Sequence, residues 1–182
     1  MSRQTWWFGG LFLLALITWQ WFKPSSQLPA NEQDYQPDFT AVNLRSVQYN
    51  TLGLPYRGLE ADYAEYYEPL AMTLVEKPVM LLYSPDGQPQ WRLSSDEGIL
   101  NTNDNAVLNG NVVGKGLQPD AVVHKLLTEY LELDFINNQL RSNQAVQLTS
   151  PEYEAHGQGL LGNIEQQTVE LLHETQATYF TP

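Results

Sequence analysis

From Phe39 onward apolar and polar residues alternate with a period of two, the pattern of strands that bury one face and wet the other. Leu59, Ala61, Tyr63 and Tyr67 share one face of such a strand, and Glu60, Asp62 and Tyr66 the other. Leu127, Leu131, Leu133 and Phe135 alternate in the same way with Thr128, Glu132 and Asp134, and Val169, Leu171, Ala177 and Tyr179 oppose Glu170, Glu174, Gln176 and Thr178. Val79 to Tyr83 is apolar on both faces, which predicts a central or bulged strand. No stretch of this region holds a helical period over three turns, so the pattern predicts an all-β domain.

Turn signals separate the strands into antiparallel hairpins: Ser84-Pro85-Asp86-Gly87, Asn101 to Asn105, Leu117 to Asp120, Asn137-Asn138, Ser150-Pro151 and Gly162-Asn163. Leu93, Val107 and Val113 recur 33 residues later as Leu126, Leu140 and Val146, a weak repeat that suggests stacked two-strand units or one long rolled sheet.

The first 22 residues follow another rule. Trp6 to Phe22 carries no charge, and at about 1.5 Å per residue its seventeen residues span roughly 26 Å as a helix, close to a hydrocarbon core of about 30 Å. Trp6, Trp7 and Phe8 at one end and Trp19, Trp21 and Phe22 at the other suit the two membrane interfaces. The stretch ends on bulky residues rather than the small ones a signal peptidase needs, so residues 1–23 are expected to remain as an anchor. Residues 24–38, with Pro24, Pro29 and Pro37 among polar side chains, read as a solvated tether, and residues 39–182 as the domain.

Charge sets the orientation and removes partners. The chain has nine Lys and Arg against 21 Asp and Glu, a net charge of -12. All the acids follow Lys23, so a long acidic domain is expected outside, with the N-terminus cytoplasmic. That balance opposes binding to nucleic acid. With no cysteine, thiolate catalysis and Cys-ligated metals are excluded.

The candidate chemistry is thin. His124, His156 and His173 fall on separate predicted strands without metal-motif spacing or an obvious carboxylate to orient them. Asp96-Glu97 and the pair Glu152 and Glu154 could suggest a glycosidase, yet neighbours on a strand point apart and alternates lie on a wet face. The sequence has neither a G-x-S-x-G elbow nor a P-loop. No catalytic residue, metal or cofactor is expected. What remains is a tethered β domain whose inner faces are unusually aliphatic, suited to binding something greasy or to serving as a scaffold.

An ordered set of residues then carries a resemblance: Tyr66-Tyr67, Lys77-Pro78-Val79, Asp86-Gly87 leading to Trp91, Asn109-Gly110-Asn111-Val112, Ser142 to Leu148, and Tyr153, Gly157 and Tyr179. From the anchor to Tyr179 the chain resembles the LptC family of lipopolysaccharide export proteins, although its tail stops at Pro182, where some relatives extend further. The resemblance implies an open antiparallel β-jellyroll behind a transmembrane helix, in the inner membrane of Gram-negative cells, with the domain in the periplasm. It implies receipt of lipopolysaccharide from the ATP-driven LptB/LptF/LptG transporter and delivery to the periplasmic bridge protein LptA. The expected lipid groove comprises Leu44, Leu59, Tyr63, Val75, Leu131, Leu133, Leu140, Val146, Val169 and Tyr179. Leu44, Val75, Val169 and Tyr179 are expected to touch acyl chains, and the others to form the floor or ordinary core. The two edge strands are expected to dock partners through Val42 and Val47 at one end and Ala177, Thr178 and Phe180 at the other. A scaffold that recruits envelope proteins through those edges without binding lipid is the alternative, and a carbohydrate hydrolase a distant third.

Overall fold

The computed structural model describes residues 36–119 and 121–180. The anchor reading and nearly all of the tether reading lie outside these residues. Among the described residues no helix is long and apolar enough to cross a membrane. Apart from one 3-10 turn, Glu68–Leu70, the regular structure of the described residues is eleven strands. They are β1 (Phe39–Tyr49), β2 (Pro55–Tyr67), β3 (Met72–Glu76), β4 (Val79–Tyr83), β5 (Pro89–Ser94), β6 (Glu97–Asn101), β7 (Asn105–Gly116), β8 (Lys125–Asp134), β9 (Gln139–Thr149), β10 (Tyr153–Asn163) and β11 (Thr168–Tyr179). Every ladder is antiparallel.

Several turns form where Gly, Asn or Asp tolerates a left-handed backbone, while Ala71 at φ 49 and Gln167 at φ 55 adopt it in the turns before β3 and β11. Gly87 closes β4–β5 at φ +79, Asp104 closes β6–β7 at φ 57 and Asn138 closes β8–β9 at φ 53. In that last turn the Asp134 carboxylate accepts the Asn137 side-chain amide at 2.7 Å and the backbone N–H groups of Ile136 and Asn137 at 3.0 Å each. These bonds, the Asn137 amide foremost, hold its pKa below the ordinary carboxylate value.

Two long strands change partner along their length. β2 pairs with β4 through Arg57–Glu60 and with β3 through Tyr63–Tyr67, while β7 pairs with β6 through Asn105–Asn109 and with β5 through Val113–Gly116. Since β3 also pairs β6 and β4 pairs β5, the strands β2–β3–β6–β7–β5–β4 form a closed ring. β8, β9, β10 and β11 extend the sheet in order beyond β7, and β1 flanks β2. The chain crosses from one arm of the ring to the other at Lys77-Pro78 and at Ser95-Asp96. There Lys77 N–H donates to Asp96 O at 2.7 Å, Asp96 N–H donates to Gly110 O at 2.9 Å, and the Asn111 amide donates to the Asp96 carboxylate at 2.6 Å. Gly110 sits at φ +75, and a Cβ there would stand 2.9 Å from the Asp96 carboxylate, so both the backbone angle and the space favour glycine.

Side chains from both arms meet in one core that includes Met80, Leu82, Trp91, Leu93, Leu108, Leu126, Leu131, Leu133, Leu148 and Leu160. The run Val79–Tyr83 is central, between β2 and β5, and also bulged at Leu82/Tyr83.

Strict alternation fails on β2 and on β8. Ala61 and Ala64, three apart on β2, are both buried, because the buried face switches where the partner changes from β4 to β3. On β8 it is Leu126 and Thr128 that point inward and Leu127 that is half-buried, until a register shift between Thr128 and Glu132 turns Leu131 and Leu133 inward. The Thr128 hydroxyl donates to Ala145 O at 2.9 Å and lies 3.3 Å from Ser142 Oγ, satisfying polar groups that the irregularity leaves in the interior. The 33-residue repeat has no structural counterpart: Leu140 and Val146 are buried, but Val107 and Val113 are half-buried on the face away from Ala106, Leu108 and Val112. His124 also departs from its expected strand and lies in the β7–β8 loop, where its N–H donates to Thr149 O.

Candidate functional site

Cross-strand partners share a face, so the register turns individual strands into rows. One row runs Ser46, Leu59, Met80, Leu93, Gly114, Leu126, Leu148, Ala155, Ala177, from β1 to β11 through the β4–β5 arm. A second runs Phe39, Tyr66, Thr73, Leu100, Ala106, Leu133, Leu140, Gly162, Val169, through the β3–β6 arm. Ser46 and Thr73 are the only polar aliphatic members. A shorter row, Ala41, Ala64, Val75, Gly98, Leu108, Leu131, joins the same interior. The neighbouring outward row Thr40, Glu65, Leu74, Ile99, Val107, Glu132, Arg141 carries charge at three of its seven positions.

The rows place the expected groove residues. Leu59 lies in the first row, Leu133, Leu140 and Val169 in the second, and Val75 and Leu131 in the third. Val146, buried, pairs with Thr128 and Gly157 at the irregular point of β8. Leu44 pairs with Ala61 and packs on the small cluster of Ala61, Ala64 and Val75. Tyr179 pairs with Tyr153, their rings 6.1 Å apart, and stands 76 % exposed at the far edge. Tyr63 does not join them. It pairs with Val42 and Glu76, while its neighbour Ala64 takes the partner Val75, so Tyr63 faces the other way with its hydroxyl 3.2 Å from Glu65.

Both edges are free among the described residues, β1 bonding only to β2 and β11 only to β10. Val42 (70 %) and Val47 are exposed on β1, and Ala177, Thr178 and Phe180 at the end of β11. Val169 and Leu171, half-buried, pack against the core from the side where β11 has no further neighbour.

The interior also holds a cation that the sequence reading passed over. The Arg57 side chain is 11 % exposed, its guanidinium carbon lies 3.8 Å from the Phe135 ring centre, and Nη2 reaches Asp104 Oδ1 at 3.2 Å. Extending the inward phase of Leu59 and Ala61 by one step would have marked it.

Among the described residues no group of three or more His, Asp or Glu is placed to hold a metal. His156 Nε2 does find a carboxylate, Glu154 at 3.3 Å, but on an exposed surface where Glu154 also accepts the Gln147 amide.

Compared with known proteins, residues 10–180 match the family model LptC, described as lipopolysaccharide-assembly, LptC-related. The Escherichia coli K12 lipopolysaccharide export system protein LptC is 25 % identical over 156 residues, 85 % of this chain and 80 % of that one. The Haemophilus influenzae protein of the same name is 23 % identical over 192 residues, 93 % of this chain and 91 % of that one. The fold is similar to Pseudomonas aeruginosa LptH, described as the LptA-homologous periplasmic component of the lipopolysaccharide transport device. That likeness has a TM-score of 0.54 at 10 % identity and covers 69 % of this chain and 95 % of LptH.

Proposed function

Because the chain belongs to the LptC family of lipopolysaccharide-assembly proteins, we propose that it is a non-enzymatic carrier that receives lipopolysaccharide from the LptB/LptF/LptG transporter and passes it to LptA. In this reading Trp6 to Phe22 forms a single span of the inner membrane with its N-terminus in the cytoplasm, and the sheet stands in the periplasm. The observation that carries the reading is the pair of apolar rows running from one free edge to the other, a greasy track with an entrance and an exit.

The physics favours a track over a closed pocket. Burying a CH₂ gains about 0.8 kcal/mol, so wrapping several acyl chains would gain tens of kcal/mol and the cargo would never leave. A surface that shields chains while its edges stay open to water exchanges them. The interior is filled by its own side chains at Met80, Leu93, Leu126 and Leu131, so acyl chains enter as the two arms part. The same filling favours the second reading, a scaffold whose apolar rows are only core.

A photo-crosslinker at Leu44 or Val169, carried by the full chain in membranes with its transporter, should capture lipopolysaccharide when ATP is supplied. At Arg45 or Glu170, one residue along on the opposite face, it should not. Capture at neither pair supports the scaffold; equal capture at both overturns the inward track.

A further inference from the structure

Seven of the chain's Lys and Arg residues are described, and six of them are exposed: Arg45, Lys77, Arg92, Lys115, Lys125 and Arg141. Arg57 alone points inward. It lines a cavity of about 300 Å³ with Tyr56, Leu82, Phe135, Ile136 and Ile164, where β2 and β4 meet the turns that follow β8 and β10. A guanidinium kept from water is costly unless its donors are filled, and it carries five of them in a planar fork. Here one donor reaches Asp104, itself 58 % exposed, and the buried Nε has no partner. The fork is therefore held in place, stacked on Phe135, with bonding capacity to spare. The one acid that lines the cavity, Glu165, accepts the Asn138 amide at 3.2 Å.

We propose that Arg57 is the receptor for a phosphate group on the sugar headgroup of the lipid cargo, which displaces Asp104 as the acyl chains enter the apolar rows. The inference rests on the carrier reading. A phosphomonoester carries about -1.5 to -2 charge and offers several oxygens to a guanidinium fork, where Asp104 offers one oxygen and a single charge. The surrounding Leu82, Phe135 and Ile164 suit the first carbons of the chains, so one site reads both ends of an amphiphile. The exchange also releases the link that Arg57 makes between β2 and the β6–β7 turn, coupling headgroup arrival to the parting of the arms.

The test is binding of bis-phosphorylated lipid A, dephosphorylated lipid A and inorganic phosphate to the full chain in detergent. The wild-type protein should prefer the phosphorylated lipid by about tenfold or more, the scale of one charge-assisted bond in a sheltered site. Arg57→Gln should abolish the preference and leave binding of the dephosphorylated lipid intact. Asp104→Asn, a mild change at a left-handed position, should tighten the phosphorylated lipid severalfold, and it decides the matter if Arg57→Gln fails to fold. An unchanged preference in Arg57→Gln, or unchanged affinity in Asp104→Asn, overturns the proposal. Equal wild-type binding of the two lipids overturns it while the carrier reading stands, and binding of neither removes both. Displacement of bound lipid by inorganic phosphate alone would assign the site to free phosphate and overturn the headgroup assignment.

Discussion

At the residue scale the outer face repeats one arrangement, a tyrosine donating to a glutamate two positions along the same strand. Tyr130 donates to Glu132 at 2.7 Å, and Tyr63 and Tyr67 flank Glu65 at 3.2 and 2.6 Å. The bond to Glu132, then partial desolvation and the negative charge nearby, push the Tyr130 pKa up to about 12, and the bond to Glu65 raises that of Tyr67 as well. A pKa raised by folding contributes stability that is fully present below the unfolded value of 10.0 and lost as pH climbs through the folded one. The Tyr130 contribution should therefore vanish between pH 10 and about 12. In Glu132→Gln the Tyr130 ring, followed by NMR, should titrate near the ordinary tyrosine value. A titration unmoved by that change would show that burial rather than the bond sets the shift.

At the element scale β11 is bound on one side only, and from Leu172 to Tyr179 every residue is exposed. Removing Thr175 to Pro182 should spare the core, which this segment hardly touches, and abolish pull-down of LptA while association with the transporter persists. Retention of LptA at the wild-type level would move the outward docking edge to β1. Strand existence and most turn positions were legible in the sequence because both are local: a period of two, and in most turns Gly, Asn or Asp at positive φ; the last turn instead lies at 164–167, just past the expected Gly162-Asn163, with Gln167 at φ 55. The phase of the buried face was legible only between irregularities. A period of two sets Leu127 on the inner face where the structure has Leu126, and sets Tyr63 there although it faces away from Val75, because the faces switch at bulges and partner changes, which depend on the neighbouring strand rather than on the strand's own residues. Arg57 escaped for a related reason. Its charge argues for the surface, and only the meeting of β2 with the turns after β6 and β8 supplies Asp104 and Phe135.

For the whole molecule, the ring was beyond any local pattern, since β2 and β7 each divide one edge between two strands and nothing in their own residues marks where the partner changes. The ring has a mechanical consequence. A protein attached to neighbours at both margins is a link in a chain under tension, and load passes from β1 to β11 through ladders of unequal redundancy. Each outer strand hangs on one ladder, whereas the six ring strands share the load along two parallel routes between β2 and β7. Pulled between Gln36 and Phe180, the molecule should yield first at its margins, with an early lengthening of about 40 Å as the 12 residues of β11 come free. The ring should rupture later, at higher force and in one step. A single all-or-none rupture in an optical trap would show the load shared evenly. With the ring as its strong member, the link would part at the joints to its neighbours and keep its own apolar interior shut, so that a strained connection fails reversibly and can be remade.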